Sequence, residues 1–131
     1  MTPALALAEV IETNLPNLGY SLFVNHVPDE PDKAVLIYEV GRGRLEGRSH
    51  RTGQRAEHPR VEVRVRAPDS EARAILQQIS DMTESVYHFP LSDGQNLQVI
   101  MKSNTIGFVG QEQQTRRYHY SQQFLLTISE Q

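Results

Sequence analysis

The stretch RVEVRVRA, residues 60–67, decides the fold, because its valines alternate with charged residues. Successive side chains of an extended chain point to opposite faces, so this pattern predicts a strand with one face on a core. The opposite face is charged and needs either water or a partner. The residues on the core face are Val61, Val63 and Val65, and those on the charged face are Glu62, Arg64 and Arg66.

An amphipathic helix is expected directly after this strand. Asp69 is a favourable N-cap residue, and apolar residues then recur at helical spacing. Pro90 and Gly94 should end this helix, since proline removes a backbone donor and glycine favours a turn. The apolar stripe consists of Ala72, Ile75, Leu76, Ile79, Met82 and Val86.

The chain before residue 60 predicts another helix and two strands. Thr2 is a suitable cap for the first helix, Pro3 fits its first position, and Pro16 follows its end. Apolar residues with helical spacing lie between them. Strands are expected at about 20–25, where apolar and polar residues alternate, and at 34–40, which is apolar enough for burial on both faces.

Toward the C-terminus, strands are expected at about 97–103 and 117–128, with Gly107 and Gly110 in a loop between them. The element order is therefore α-β-β-β-α-β-β. The first three strands have no helical crossovers between them, which favours antiparallel pairing. The sequence thus predicts an α+β fold, with an antiparallel sheet of four to five strands and two helices packed on one face.

Length and composition predict a single domain over residues 1–131. No apolar run approaches the roughly 20 residues that cross a bilayer, and the N-terminus lacks the basic region of a signal peptide. The absence of cysteine excludes disulfides, thiol catalysis and thiolate metal sites. A net charge of −3 argues against a free-standing nucleic-acid-binding protein.

Residues 41–58 differ from the rest of the chain, since they are rich in glycine and arginine and nearly devoid of apolar residues. We expect a long flexible loop that contacts a partner or subunit, because arginine pairs bidentately with carboxylate and phosphate. A solvated loop without a partner is also possible. An alternative is a small regulatory or nucleic-acid-binding module that uses this loop. The arginines are Arg42, Arg44, Arg48, Arg51 and Arg55.

Catalytic and metal-binding patterns are missing from the sequence. Ser49, His58 and Asp69 could be imagined as a hydrolytic triad, but no Gly-x-Ser-x-Gly motif accompanies them. The five histidines have no metal-ligand spacing. The acidic turn at 28–32 is interrupted by Pro31 and lacks the downstream glutamate of a calcium loop. The sequence predicts a protein that is not an enzyme and that has no cofactor or metal.

Three stretches of the sequence together carry a resemblance to a known family. The first is FVNHVPDEPD at 23–32 with VLIY after it, and the second is HPRVEVRVRA at 58–67. The third runs from Gly110 through RRYHYS at 116–121 to Phe124. These stretches resemble the minor capsid and tail-terminator proteins of long-tailed bacteriophages. They occur in the order of the family and span nearly the whole chain.

This resemblance implies a homo-oligomeric ring, commonly a hexamer, which ends the tail tube and joins it to the head-side connector. The implied partners are the tail tube protein and a connector or stopper protein, without a membrane. DNA could pass through the lumen without sequence-specific binding. The implied location is the head–tail junction of the virion, and the host cytoplasm during assembly. On this basis we expect the charged face, Glu62, Arg64 and Arg66, to be a subunit interface.

Overall fold

The computed structural model describes residues 1–40, 44–45 and 57–130. These ranges contain two helices, α1 (Pro3–Asn14) and α2 (Glu71–Thr83). The strands are β1 (Ser21–Val24), β2 (Ala34–Glu39), β3 (Arg44–Leu45), β4 (Glu57–His58), β5 (Arg60–Ala67), β6 (Tyr87–Pro90), β7 (Gln95–Lys102), β8 (Gly107–Gln111) and β9 (Tyr118–Glu130).

Helix α1 begins as the sequence predicts. The Thr2 side chain accepts a hydrogen bond from the Leu5 backbone N–H at 3.3 Å, and Pro3 occupies the first turn, where it needs no donor. The Glu39 carboxylate accepts from the Ala4 N–H at 3.1 Å, which satisfies another free amide of that turn. The helix ends at Asn14, two residues before Pro16.

Helix α2 is shorter than expected and has a different cap. Its N-cap is Ser70, although Asp69 still accepts a hydrogen bond from the Glu71 N–H at 2.8 Å. In the last turn a hydroxyl group bonds to a helix carbonyl, since Thr83 donates to Ser80 O at 2.6 Å. Strand β6 then forms where the sequence predicted the end of the helix.

The sheet is built around β9, the longest strand. Strand β5 pairs with β9 along 118–125, and β2 and β1 continue the sheet beyond β5. On the other side of β9, β8 pairs with its first half and β7 with its second half, and β6 pairs with β7. Strands β3 and β4 extend the sheet at Ile128 of β9.

The α+β class is confirmed, but the sheet is larger than predicted and it is mixed. Nine strands of the described residues take part, and β1 pairs with β2 in parallel. The expectation of a purely antiparallel sheet was wrong because residues 25–33 return the chain to the start of β1 without a helix. Nine residues can span about 30 Å, more than twice the length of a four-residue strand.

Two segments predicted as loops contain strands. Residues Gly107–Gln111 pair with β9 despite their glycines, with a bulge between Phe108 and Gly110. Glycine weakens a strand, but a long central partner can still hold its backbone. The expected loop at 41–58 carries short strands at two places, since Arg44–Leu45 pairs with Glu57–His58. The other residues of that range lie outside the described parts of the chain.

Both helices pack on one face of the sheet, as predicted. The valines of β5 meet α1 and α2 there in one continuous core. We call the opposite side of β2, β5, β9 and β7 the helix-free face. The fully buried core residues include Leu7, Ile11, Ile37, Val61, Val63, Val65, Leu76, Ile79, Leu97, Phe124 and Leu126.

Candidate interaction surface

The centre of the helix-free face is a polar patch of side chains that bond to one another. Glu62 of β5 accepts hydrogen bonds from the Tyr38 hydroxyl and from Arg64 Nη2 at 3.3 Å. Gln123 Nε2 of β9 donates to the same carboxylate at 3.4 Å. Burial and the bond to Glu62 raise the pKa of Tyr38 to about 12, so the hydroxyl stays protonated. The half-buried patch is thus centred on the Glu62 carboxylate, which accepts all three of these hydrogen bonds.

Arg66 follows the same strand, but it is not part of an open charged face. Its side chain is 1% exposed, and its guanidinium donates to Pro28 O at 2.7 Å and Pro31 O at 2.6 Å. Proline has no backbone N–H, so Pro28 and Pro31 reduce the number of hydrogen-bond donors within the 25–33 loop. The loop carbonyls therefore bond to a donor outside the loop. Burial, followed by the nearby charge of Arg117, lowers the pKa of Arg66.

A second arginine holds the 25–33 loop from β9. Arg117 is 5% exposed, and its Nη1 donates to Asp29 O and lies 3.6 Å from Asp32 Oδ1. Two buried guanidinium groups, one on β5 and one before β9, thus anchor the acidic turn. Asp32 contributes its carboxylate to these contacts, whereas Pro28, Asp29 and Pro31 contribute backbone carbonyls.

Glu112 organises the turn between β8 and β9. Its carboxylate accepts from Arg117 Nη2 at 2.8 Å and from Arg117 Nε at 3.0 Å. His119 Nε2 lies 2.6 Å from Glu112 Oε2, and since a carboxylate only accepts, that nitrogen carries the proton. Thr115 donates to the other oxygen at 3.1 Å. The Arg117 hydrogen bond is the main reason that the pKa of Glu112 falls to about 2.

These groups surround a cleft between the 25–33 loop and the β8–β9 turn, which we call the polar cleft. It has a volume of about 350 Å³. Three nitrogens of its lining residues are buried without a hydrogen-bond partner among the described residues: Arg64 Nε, Arg66 Nε and His119 Nδ1. The full lining is Val27, Pro28, Asp29, Arg64, Arg66, Val109, Gly110, Gln111, Glu112, Arg117 and His119.

An apolar strip lies on the helix-free face beside the polar patch. Tyr87 of β6 is 76% exposed and pairs with Val99, which is 42% exposed. Met101 is 59% exposed and pairs with Leu125 of β9, which lies on the same face as Gln123. The sequence analysis did not identify this strip. Its one signal was that apolar residues of β7 occupy both strand faces, which a half-solvated strand does not need.

Only one of the five arginines predicted to contact a partner lies in the described part of the chain. Arg42, Arg48, Arg51 and Arg55 lie outside the described residues, and Arg44 is described only as part of the β3 backbone. Within ranges 1–40, 44–45 and 57–130, no group of three His, Asp or Glu residues could hold a metal ion. Neither helix in that part of the chain has the length and hydropathy to cross a membrane.

Comparison with known proteins adds two findings. The profile of a family described as "Bacteriophage tail terminator protein" matches residues 7–130. A chain from the virion of a native gene transfer agent particle has the same fold, with a TM-score of 0.58. The two chains are 15% identical, and the alignment covers 97% of this chain and 94% of the other. No curated protein matches this sequence.

Proposed function

Since the chain belongs to the bacteriophage tail terminator family, we propose that its copies close into a hexameric ring that ends the tail tube and joins it to the head-side connector. The chain is a structural protein of a phage-type virion tail. The observation that carries the proposal is the family match over residues 7–130, which spans α2, every described strand and α1 from residue 7 onward.

Closed rings use heterologous contacts, in which two different surfaces of the subunit meet around the ring. The apolar strip suits one of them, because solvent-exposed apolar residues on neighbouring strands favour burial against a partner. It lies toward the β6–β7 end of the sheet. Strand β1 lies at the other end of the sheet, and its outer edge pairs with no other strand in the described residues. We assign the second surface to that edge.

The charged residues have separate proposed roles. Glu62 and Arg64 border the apolar strip on the same face and would form the polar rim of the subunit interface. Arg66 would stabilise that face by holding the 25–33 loop through its two hydrogen bonds. Arg42, Arg44, Arg48, Arg51 and Arg55 would contact acidic surfaces of the tube or connector protein. DNA would cross the lumen without base-specific contacts.

Light scattering of the purified protein, alone and mixed with isolated tail tubes, tests ring formation. The proposal expects six copies per particle, either free or on the tube end. A protein that stays monomeric in both samples would contradict it. The alternative of a nucleic-acid-binding module through residues 41–58 stays a prediction, which a salt titration of DNA binding would test.

A further inference from the structure

Two short strands, β1 and β8, have outer edges without a pairing partner among the described residues. Strand β1 has four residues and pairs with β2, and β8 has five residues and pairs with β9. The unpaired N–H and C=O groups of such an edge can bind a further strand, and proteins often block them with charged residues or proline. The sequences of β1 and β8, SLFV and GFVGQ, contain neither, whereas the edge strand β6 contains Pro90.

The two free edges lie at the same height on opposite sides of the sheet. The strand registers from β1 through β2 and β5 place β1 level with residues 119–122 of β9. Strand β8 pairs with residues 118–121 of β9, so the two levels overlap.

The directions of the two edge strands also match. Strand β1 is parallel to β2, and the three further steps to β5, β9 and β8 are antiparallel, so β1 and β8 run in opposite directions. Rotation about a ring axis along the strands preserves the direction of each strand. The β1 strand of a neighbouring copy would therefore approach β8 in antiparallel orientation.

An apolar row crosses the helix-covered face of the sheet from one free edge to the other. The centre of the row is buried, but Phe108 at its β8 end is 59% exposed, although its ring centroid lies 5.3 Å from that of Tyr120. Leu22 at the β1 end packs against the core. A strand added to β8 with an apolar residue at this level would extend the row and cover Phe108. The row consists of Leu22, Val35, Val65, Tyr120 and Phe108.

The next row, on the helix-free face, has complementary shapes at its two ends. It begins at the partly exposed Phe23 of β1 and ends at Gly107 of β8. No heavy atom lies within 4 Å of the position that a Cβ atom would take on Gly107, so the space over this glycine is open. An aromatic ring from a neighbouring strand can cover and stabilise an edge glycine. Phe23 of a second copy would fill that space.

We propose that β1 of one copy pairs in antiparallel orientation with β8 of the next copy, so that one continuous sheet runs around the ring. This inference rests on the proposed ring and names the backbone contact that closes it. The occupant is a second copy, because its β1 matches β8 in length, height and direction. Leu22 would lie opposite Phe108, since a shift by one residue would turn Leu22 to the other face. Strands β6 and β7 continue the β8 side of the sheet, so the apolar strip would lie along the same contact.

Disulfide cross-linking tests this pairing, because the chain has no cysteine of its own. In the double variant Leu22→Cys/Phe108→Cys, the two cysteines of neighbouring copies would be directly opposed, at a separation that a disulfide can bridge. This variant, mixed with tail tubes and treated with a mild oxidant, should give a ladder of up to six linked copies on a denaturing gel. Each single variant alone should give no link, and an equal mixture of the two single variants should give dimers as its largest product.

A second cysteine pair and a matched control accompany this experiment. Phe23→Cys/Gly107→Cys makes the same test on the helix-free face, where it leaves the apolar row intact. In the control, Leu22→Cys/Leu5→Cys, the second cysteine lies at an exposed position of α1 and should give no ladder. Circular dichroism of the reduced proteins shows whether each variant is folded.

Light scattering of the wild type and of the reduced variants separates the strand pairing from the ring itself. Six-copy particles that give no link from either cysteine pair would overturn the pairing and leave the ring intact. Linked dimers from Phe108→Cys alone would mean that two β8 edges meet, which also overturns the pairing. A wild-type protein that stays monomeric on tail tubes would overturn the ring and this inference with it.

Discussion

Arg117 and Glu112 form a bidentate pair, with Arg117 Nη2 and Nε at 2.8 and 3.0 Å from the two carboxylate oxygens. Arg117 also reaches the backbone of Asp29, so the pair joins the β8–β9 turn to the 25–33 loop. These two segments are distant in sequence, and both form walls of the polar cleft. The pair therefore determines the shape of the helix-free face at this end of the sheet.

Replacing Glu112 with glutamine should destabilise the protein by about 1–3 kcal/mol, because the buried Arg117 would lose its nearest carboxylate partner. Urea unfolding measures this change. Glu84→Gln is the matched control, since Glu84 pairs with Lys102 at 2.6 Å but is exposed to solvent. That substitution should cost less than about 1 kcal/mol. Equal effects of the two substitutions would contradict the role of Glu112.

Stability should also depend on pH through Glu112. Its pKa is about 2 in the folded protein and 4.5 in an unperturbed side chain, mainly because of the Arg117 hydrogen bond. Its contribution is complete above pH 4.5 and is lost as the pH falls through about 2. Urea unfolding across that interval should show a steeper loss of stability in the wild type than in Glu112→Gln. Parallel curves would contradict the assignment.

Replacing Arg66 with methionine should loosen the 25–33 loop. Methionine fills a similar volume but cannot donate to Pro28 O and Pro31 O, so two carbonyls would lose their partners. We expect faster backbone amide exchange in residues 25–33 and a loss of about 1–3 kcal/mol. Arg66→Lys should rescue only part of this loss, because an ammonium lacks the planar fork of guanidinium. Unchanged exchange in Arg66→Met would contradict the anchoring role.

A glutamate in the apolar strip should prevent ring assembly without unfolding the subunit. Met101 is 59% exposed, so Met101→Glu should change the free energy of unfolding by less than about 0.5 kcal/mol. Light scattering of the variant mixed with tail tubes should then detect monomers, whereas the wild type should form rings in the same mixture. Leu5→Glu, at a half-exposed position of α1, is the control and should assemble normally. Normal rings from Met101→Glu would exclude the strip from the interface.

Elements that depend on local sequence could be predicted. Strand β5 has the predicted limits because its valines alternate with charges without interruption, and α1 has the predicted cap and proline. Strands β6 and β8 were missed because their pairing partners, β7 and β9, stabilise sequences with glycine or proline. The parallel pairing of β1 and β2 also depends on a loop path that local patterns do not encode.

The candidate surface was harder to predict because it depends on contacts between distant residues. The alternation of β5 placed Arg66 on the polar face correctly, but its burial depends on carbonyls of Pro28 and Pro31. Likewise, Met101 and Val99 form a strip only when β7 lies beside β6 and β9. Period-two alternation indicates which face a side chain occupies, but it does not indicate what covers that face.

The most direct test of the central proposal is the length of tail tubes, measured by electron microscopy in cells that make the particle without this chain. A ring that ends the tube predicts tubes of uncontrolled length that do not join heads, and restoration of the normal length by the wild-type chain. Tails of normal length joined to heads in the absence of the chain would contradict the account.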